Sequence, residues 1–95
     1  MPHGKPSAEL TALLNQQIVV DTDSSYVYIG RLKAIGSDCL VLANVDAHDT
    51  HDSNSSKEHY AHETCKLGPR PNRKEVLVLR ERVLSISRLD DIIRF

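Results

Sequence analysis

The run from Tyr26 to Asn44 constrains the fold more than any other part of the chain. It opens as Tyr26-Val27-Tyr28-Ile29, breaks at Gly30 and continues as Arg31-Leu32-Lys33-Ala34-Ile35. It then turns at Gly36-Ser37-Asp38 and resumes as the apolar Cys39-Leu40-Val41-Leu42-Ala43-Asn44. β-Branched and aromatic residues, a glycine-containing turn and a second apolar run predict two strands joined by a tight turn. The core positions read as Val27 and Ile29 before Gly30, and Leu32 and Ala34 after it. The parity of the alternation therefore changes at the glycine. A one-residue shift moves every strand side chain to the other face. A glycine bulge absorbs such a shift and bends the strand, as a small barrel requires of a long second strand.

The flanking segments fit the same architecture. Pro6 to Asn15 predicts a short helix, with Ser7 as its cap and Glu9 at the positive end of its dipole. Leu10, Leu13 and Leu14 form one apolar stripe at i, i+3, i+4. So short a helix is not stable alone, and its stripe must lie on the barrel. The polar face lacks the Lys and Arg of a membrane-surface helix. Gln17 to Thr22 predicts the first strand, Val76-Leu77-Val78-Leu79 the fourth and Val83 to Ser87 the fifth. Arg80-Glu81-Arg82 joins the last two through a very short connection. Beyond them, Leu89, Ile92, Ile93 and Phe95 need cover from the barrel or from a neighbouring chain.

Between Asn44 and Val76 the pattern dissolves, and residues 45–74 read as an insertion within one domain spanning 7–95, with 1–6 as a flexible leader. So long a connection carries structure or function of its own. Ser55-Ser56-Lys57-Glu58 fits a capping box, which predicts a helix from Glu58 to Leu67 stopped by Gly68 and Pro69. His48 and His51, then His59 and His62 with Cys65, recur at helical spacing beside Asp46, Asp49 and Asp52. Imidazole with thiolate or carboxylate suits zinc or another transition metal. A solvated polar loop is the simpler reading, so no cofactor is expected and the metal remains an alternative.

Charge is unevenly placed. From Asn44 to Glu63, Asp46, Asp49, Asp52, Glu58 and Glu63 stand against Lys57 alone. Lys66, Arg70, Arg73, Lys74, Arg80, Arg82 and Arg88 outweigh Glu75 and Glu81 downstream. The two segments either attract each other, within or between subunits, or the second serves an anionic partner. The net charge of −1 excludes a polycation. No apolar stretch approaches the ~20 residues of a membrane span, and no signal peptide is evident. Two cysteines make no disulfide framework, so a reducing cytoplasm is expected. No catalytic set can be assembled, so an enzyme is not expected. Cys65 and His62 lack a third orienting group, Asp21 and Asp23 read as turn-formers, and no glycine-rich phosphate loop is present.

One helix and five strands with a bent second strand is the layout that resembles the Sm-like (LSm) family. Gly30-Arg31-Leu32-Lys33-Ala34-Ile35 looks like the first Sm motif, and Leu79-Arg80-Glu81-Arg82-Val83-Leu84-Ser85-Ile86 is similar to the second. The resemblance covers Leu10 to Arg88 apart from the enlarged connection between strands three and four. It implies a small, strongly bent, SH3-like five-stranded β-barrel, assembled into a homo-oligomeric ring and binding single-stranded RNA in a ribonucleoprotein. The implied RNA-binding residues are Ser37, Asp38, Arg80 and Arg82, on turns that would face the pore. The implied interface residues are Val76, Val78, Leu84 and Ile86, on edge strands four and five. The sequence departs from the uridine-binding pattern, with Gly36 where an Asp is usual, Cys39-Leu40 where an Asn falls, and Glu81 in place of a glycine. A ring that serves as a structural or protein-interaction module without uridine recognition is therefore the alternative. Arg80 and Arg82 would then pair with Glu81, Asp38 or a neighbour's acidic loop. No membrane and no small-molecule substrate is expected as a partner.

Overall fold

The computed structural model describes residues 5–52 and 56–93. Five strands form one antiparallel sheet: β1 (Gln17–Thr22), β2 (Tyr26–Ile35), β3 (Cys39–Asp49), β4 (Arg73–Leu79) and β5 (Val83–Arg88), in the order β4-β3-β2-β1-β5. β4 and β5 are its two edges. Short 3₁₀ turns follow β3 at Thr50–Asp52, join β4 to β5 at Arg80–Arg82 and follow β5 at Leu89–Asp91.

The leading helix is shorter than its leucine spacing suggests. α1 (Ala8–Thr11) is a single α-turn, capped by the Ser7 hydroxyl, which accepts from the Leu10 N–H at 3.1 Å. The chain then tightens through bonds from Leu13 N to Leu10 O and from Leu14 N to Thr11 O. Asn15 takes a left-handed φ of 68° and donates to Leu32 O at 2.7 Å. The cause is geometric: Gln16 must lie beside β2, where its carbonyl accepts from Leu32 N, and a continuing helix would carry it away. Leu10, Leu13 and Leu14 still lie on the core, as the stripe requires.

β2 and β3 are bent by two compensating irregularities, and a third shift lies between β1 and β5 at Asp21/Thr22. Opposite Gly30, β3 carries one additional residue, Asn44, with a left-handed φ of 52°; at Lys33 the additional residue is on β2. The register therefore shifts where the sequence places the shift, but the bulged residue there sits on the neighbouring strand. Gly30 itself stays out of the left-handed region. Its role is close approach: a Cβ there would meet Ala43 O at 3.1 Å and Val45 Cγ2 at 3.2 Å.

The apparent change of parity has a second cause: the sheet is buried on both faces. Ile18, Val20, Leu32, Leu40, Leu42, Val45 and Val78 form the inner core. Val19, Val27 and Ile29 face the other way and join Ala61 and Leu89 in an outer core. Val27 and Ile29 thus lie on the opposite side from Leu32 without any slip of β2 between them. Ala34 is exposed and Ile35 reaches the inner core instead, because the bulge at Lys33 reverses the faces.

The outer core exists because the insertion is folded. β3 runs past Asn44 to Asp49, and Asn72 prolongs its edge by bonding both Ala47 N and Ala47 O. α2 (Lys57–Leu67) is capped by Ser56, which accepts from His59 N at 3.0 Å. The cap is one residue later than the capping-box pattern places it, and Ser55 lies outside the described residues. α2 stops at Gly68, whose φ of 86° favours glycine. Tyr60 and Cys65 of α2, with Ile92 of the tail, complete the cover. The tail therefore lies on its own barrel through Leu89 and Ile92, whereas Ile93 stays 72% exposed, and Phe95 falls outside the described residues.

Candidate nucleic-acid interface

Two turns meet at one end of the sheet. The β2–β3 turn holds its shape through a bond from Gly36 N to Cys39 O at 2.8 Å. The Arg80–Arg82 turn locks onto it, because Arg80 N donates to Asp38 O at 2.9 Å. The Arg80 guanidinium reaches the same turn, donating from Nη1 to Gly36 O at 2.9 Å and to Ser37 O at 3.4 Å. One nitrogen is thereby occupied, while the remaining guanidinium donors meet no other acceptor among the described residues. Ser37 and Asp38 are exposed beside it. An apolar hollow of ≈ 200 Å³ lined by Leu10, Leu40, Val83 and Ile86 opens next to Arg80.

Arg82 does not join this group. It turns to the β1–β2 turn, where Nη1 donates to Asp23 Oδ2 at 2.9 Å. That bond, with the Asp23 charge behind it, raises the already high pKa of the guanidinium. Of the four residues named from the sequence, the fold brings Ser37, Asp38 and Arg80 together and separates Arg82.

The edge strands divide in the same way. Val78 is buried, and Val76 and Ile86 are half-buried against the inner core. Leu84 is 67% exposed, and so are Leu77 at 62% and Leu79 at 48%. The outward side of β4 was legible in the unbroken apolar run Val76 to Leu79, but which residues face out depends on register. Val41 opposite Leu77 and Leu40 opposite Val78 fix it.

The insertion's ligand-type side chains are spent separately. His48, on β3, stacks on Tyr60 of α2 with ring centroids 3.7 Å apart and planes 6° from parallel. Asp49 Oδ1 accepts from the His51 backbone N–H and from the Ser25 hydroxyl, which occupies the Asp49 carboxylate. His59 lies 3.9 Å from Glu63 and His62 3.3 Å from Glu58, each one helical turn apart. Cys65 Sγ points to Ile92 O at 3.9 Å. Among the described residues no three His, Cys, Asp or Glu side chains converge to hold a metal ion.

Two residues that the sequence reading placed only in the charged insertion, Asp46 also as a ligand candidate, anchor α2. Asp46, only 4% exposed, accepts from the Tyr60 hydroxyl and from Arg70 N at 3.0 Å. Burial, followed by this bond, pushes the Tyr60 phenol well above its ordinary pKa. Lys57 Nζ donates to Asp21 Oδ1 at 2.6 Å, Thr22 O at 2.9 Å and Ser24 O at 2.6 Å, pinning the start of α2 to the β1–β2 turn. Nothing in the spacing of Asp46 distinguishes it from Asp49 or Asp52.

No protein-family model matches the sequence, and no curated protein matches it. Comparison with solved structures is decisive for the fold. The chain superposes on an Sm protein of Pyrococcus abyssii, solved in complex with a uridine heptamer, with a TM-score of 0.56. The likeness covers 90% of this chain and 99% of that one, at 19% sequence identity. This chain has the Sm fold. The helix and five strands around Gly30 are thus the Sm arrangement that the two motifs suggest. The folded insertion lies between β3 and β4 of that arrangement. Among the described residues no helix is long and apolar enough to cross a membrane.

Proposed function

We propose that this protein is a non-catalytic, oligomeric Sm-type module that binds single-stranded RNA at the paired turns. The observation that carries the reading is Arg80. Its guanidinium ties Gly36 and Ser37 to the β4–β5 turn and keeps further donors for a phosphate or base. The similar Sm fold of Pyrococcus abyssii, solved with a uridine heptamer, supports RNA as the ligand class. Arg80→Ala is expected to weaken oligouridine binding and to reduce the slope of log affinity against log salt by about one phosphate contact. Titrations at several salt concentrations read both effects, and an unchanged slope would reject Arg80 as the contact.

Assembly is the second part of the proposal. β4 and β5 are unpaired edges, and each carries apolar side chains outward: Leu77 and Leu79 on one, Leu84 on the other. Exposed apolar edges are an aggregation hazard unless another chain covers them. Pairing β4 of one copy with β5 of the next covers both, and because the edges differ the contact is head-to-tail and closes as a ring. Leu84→Glu leaves the inner core untouched and is expected to give a folded monomer by sedimentation. An assembled Leu84→Glu protein would show that this edge is not the contact.

A specific observation keeps the interaction-module alternative in play. Gly36 replaces the usual acidic residue, and Arg82 is drawn away to Asp23. An intact ring that binds no single-stranded RNA at low salt would establish that alternative. Both readings place the protein in a reducing compartment such as the cytoplasm, consistent with two free cysteines.

A further inference from the structure

A hollow of ≈ 390 Å³ opens in the outer layer, between α2, Asp46 of β3 and the connection that leads to β4. None of its lining residues comes from β4, β5 or the paired turns. Its floor is built and already satisfied. Asp46 accepts from the Tyr60 hydroxyl and from Arg70 N, and the buried Thr64 hydroxyl donates to Tyr60 O at 2.9 Å. Thr64 Oγ1 therefore offers the hollow only an acceptor. The walls carry opposite charges that are not spent on each other. The Arg70 guanidinium meets no acceptor among the described residues, and Glu63 has only His59, at 3.9 Å. The Arg70 charge is near enough to the floor to oppose the rise in the Tyr60 pKa. Leu67, in the last turn of α2, adds a bare apolar wall, 64% exposed.

We infer that this hollow binds a free α-amino acid with an aliphatic side chain, its carboxylate on Arg70, its ammonium on Glu63 and Thr64 Oγ1, and its side chain on Leu67. The volume falls within the range of small-ligand sites, about 300–1,000 Å³. A guanidinium fork matches a carboxylate with two parallel bonds. An ammonium brings three donors and no acceptor, which suits a carboxylate and a hydroxyl oxygen that can only accept. Leu67 and Gly68 also bring the C-terminal end of α2 to this space, and the negative end of its dipole favours the ammonium. A simple anion would meet Glu63, and a simple amine would meet Arg70. A ligand of both signs answers both charges. Bound there, it would bridge α2 to the connection that follows it and stiffen the outer core. Such a site is independent of the RNA reading and of the ring.

The test is an amide chemical-shift titration of the full chain at neutral pH with L-valine, L-leucine, L-isoleucine and L-methionine in turn. At least one is expected to give saturable shifts centred on residues 59–70, with a Kd on the order of 0.1–1 mM, as so small a ligand allows. The same side chain presented as the carboxylic acid alone, or as the amine alone, is expected to bind at least about tenfold more weakly. Arg70→Gln and Glu63→Gln are each expected to weaken binding on the order of 10- to 100-fold, the loss of a charged hydrogen bond. Both side chains are exposed, and Arg70→Gln keeps the backbone bond to Asp46, so neither change should unfold the chain. No saturable shift with any of the four amino acids would overturn the inference. So would equal binding of the carboxylic acid alone, which would leave only an anion site, and so would shifts that both variants leave unchanged. None of these outcomes bears on oligouridine binding, so the RNA reading stands or falls separately.

Discussion

Gly30→Val is expected to destabilise the protein by about 1–3 kcal/mol, the cost of overpacking a tight interior site, lowering the melting temperature by roughly 5–20 °C for a domain of this size. The expectation follows from the two strands at the bend. A single Cβ at position 30 would already lie 3.1 Å from Ala43 O and 3.3 Å from Val45 Cα. Both are backbone atoms and cannot swing aside as a side-chain tip would. Valine adds two further methyl groups in the same space. The strands would have to separate where Asn44 bulges, loosening the inner core at Val45. Because Gly30 has no left-handed φ, Gly30→Ala isolates the clash from any backbone strain and should show a smaller effect of the same sign. Thermal melts of the two variants check this, and an unchanged midpoint for Gly30→Val would remove close approach as the reason for the glycine.

Asp46→Ala is expected to cost about 2–4 kcal/mol, because two hydrogen bonds to a charged, buried acceptor disappear together. The Tyr60 hydroxyl and Arg70 N–H lose their common partner, and the outer core loosens with α2. Amide exchange should show early loss of protection in Lys57–Leu67 while β1 to β3 remain protected. A uniform loss across the sheet would instead show that α2 and the barrel unfold as one unit. The same contact makes an alkaline prediction. The folded-state pKa of Tyr60 is raised, chiefly by burial and then by Asp46. The proton on Tyr60 therefore contributes stability in full below the unfolded tyrosine pKa of about 10, and this is lost as pH rises through the higher folded value. Tyrosinate absorbance should show Tyr60 ionising late in the native protein and earlier in Asp46→Ala.

Where the sequence was legible and where it was not has a physical explanation. β1 to β3 and the bend at Gly30 were readable because β-branched runs, a glycine and a turn are local signals. The same is true of the Sm arrangement that follows from them. Ala34 was misplaced because a bulge at Lys33 leaves no mark in the residue types. The insertion's strand extension from Val45 to Asp49 was missed because, beyond Val45, its side chains are Asp, Ala and His, residues that do not announce a strand. Its polarity is satisfied by contacts far away in sequence, such as His48 on Tyr60 and Asp46 with Arg70. The paired turns were located from the motifs, but the direction of Arg82 was not. Its partner, Asp23, is a turn residue at the other end of the chain, and no local pattern connects them.

The double-sided burial of β1 and β2 has a consequence for how short this chain could become. In a sheet with one wet face, the connection between β3 and β4 is dispensable, and evolution can trim it freely. Here Val19, Val27 and Ile29 look outward beneath Ala61 and Leu89. Removing the insertion would strip Ala61, Tyr60 and Cys65 from these side chains and leave them covered only by Leu89 and Ile92 of the tail. Their apolar identity and the presence of α2 are therefore bound together: a chain without α2 would expose apolar area on this face. The length between β3 and β4 is consequently tied to residues that lie outside it.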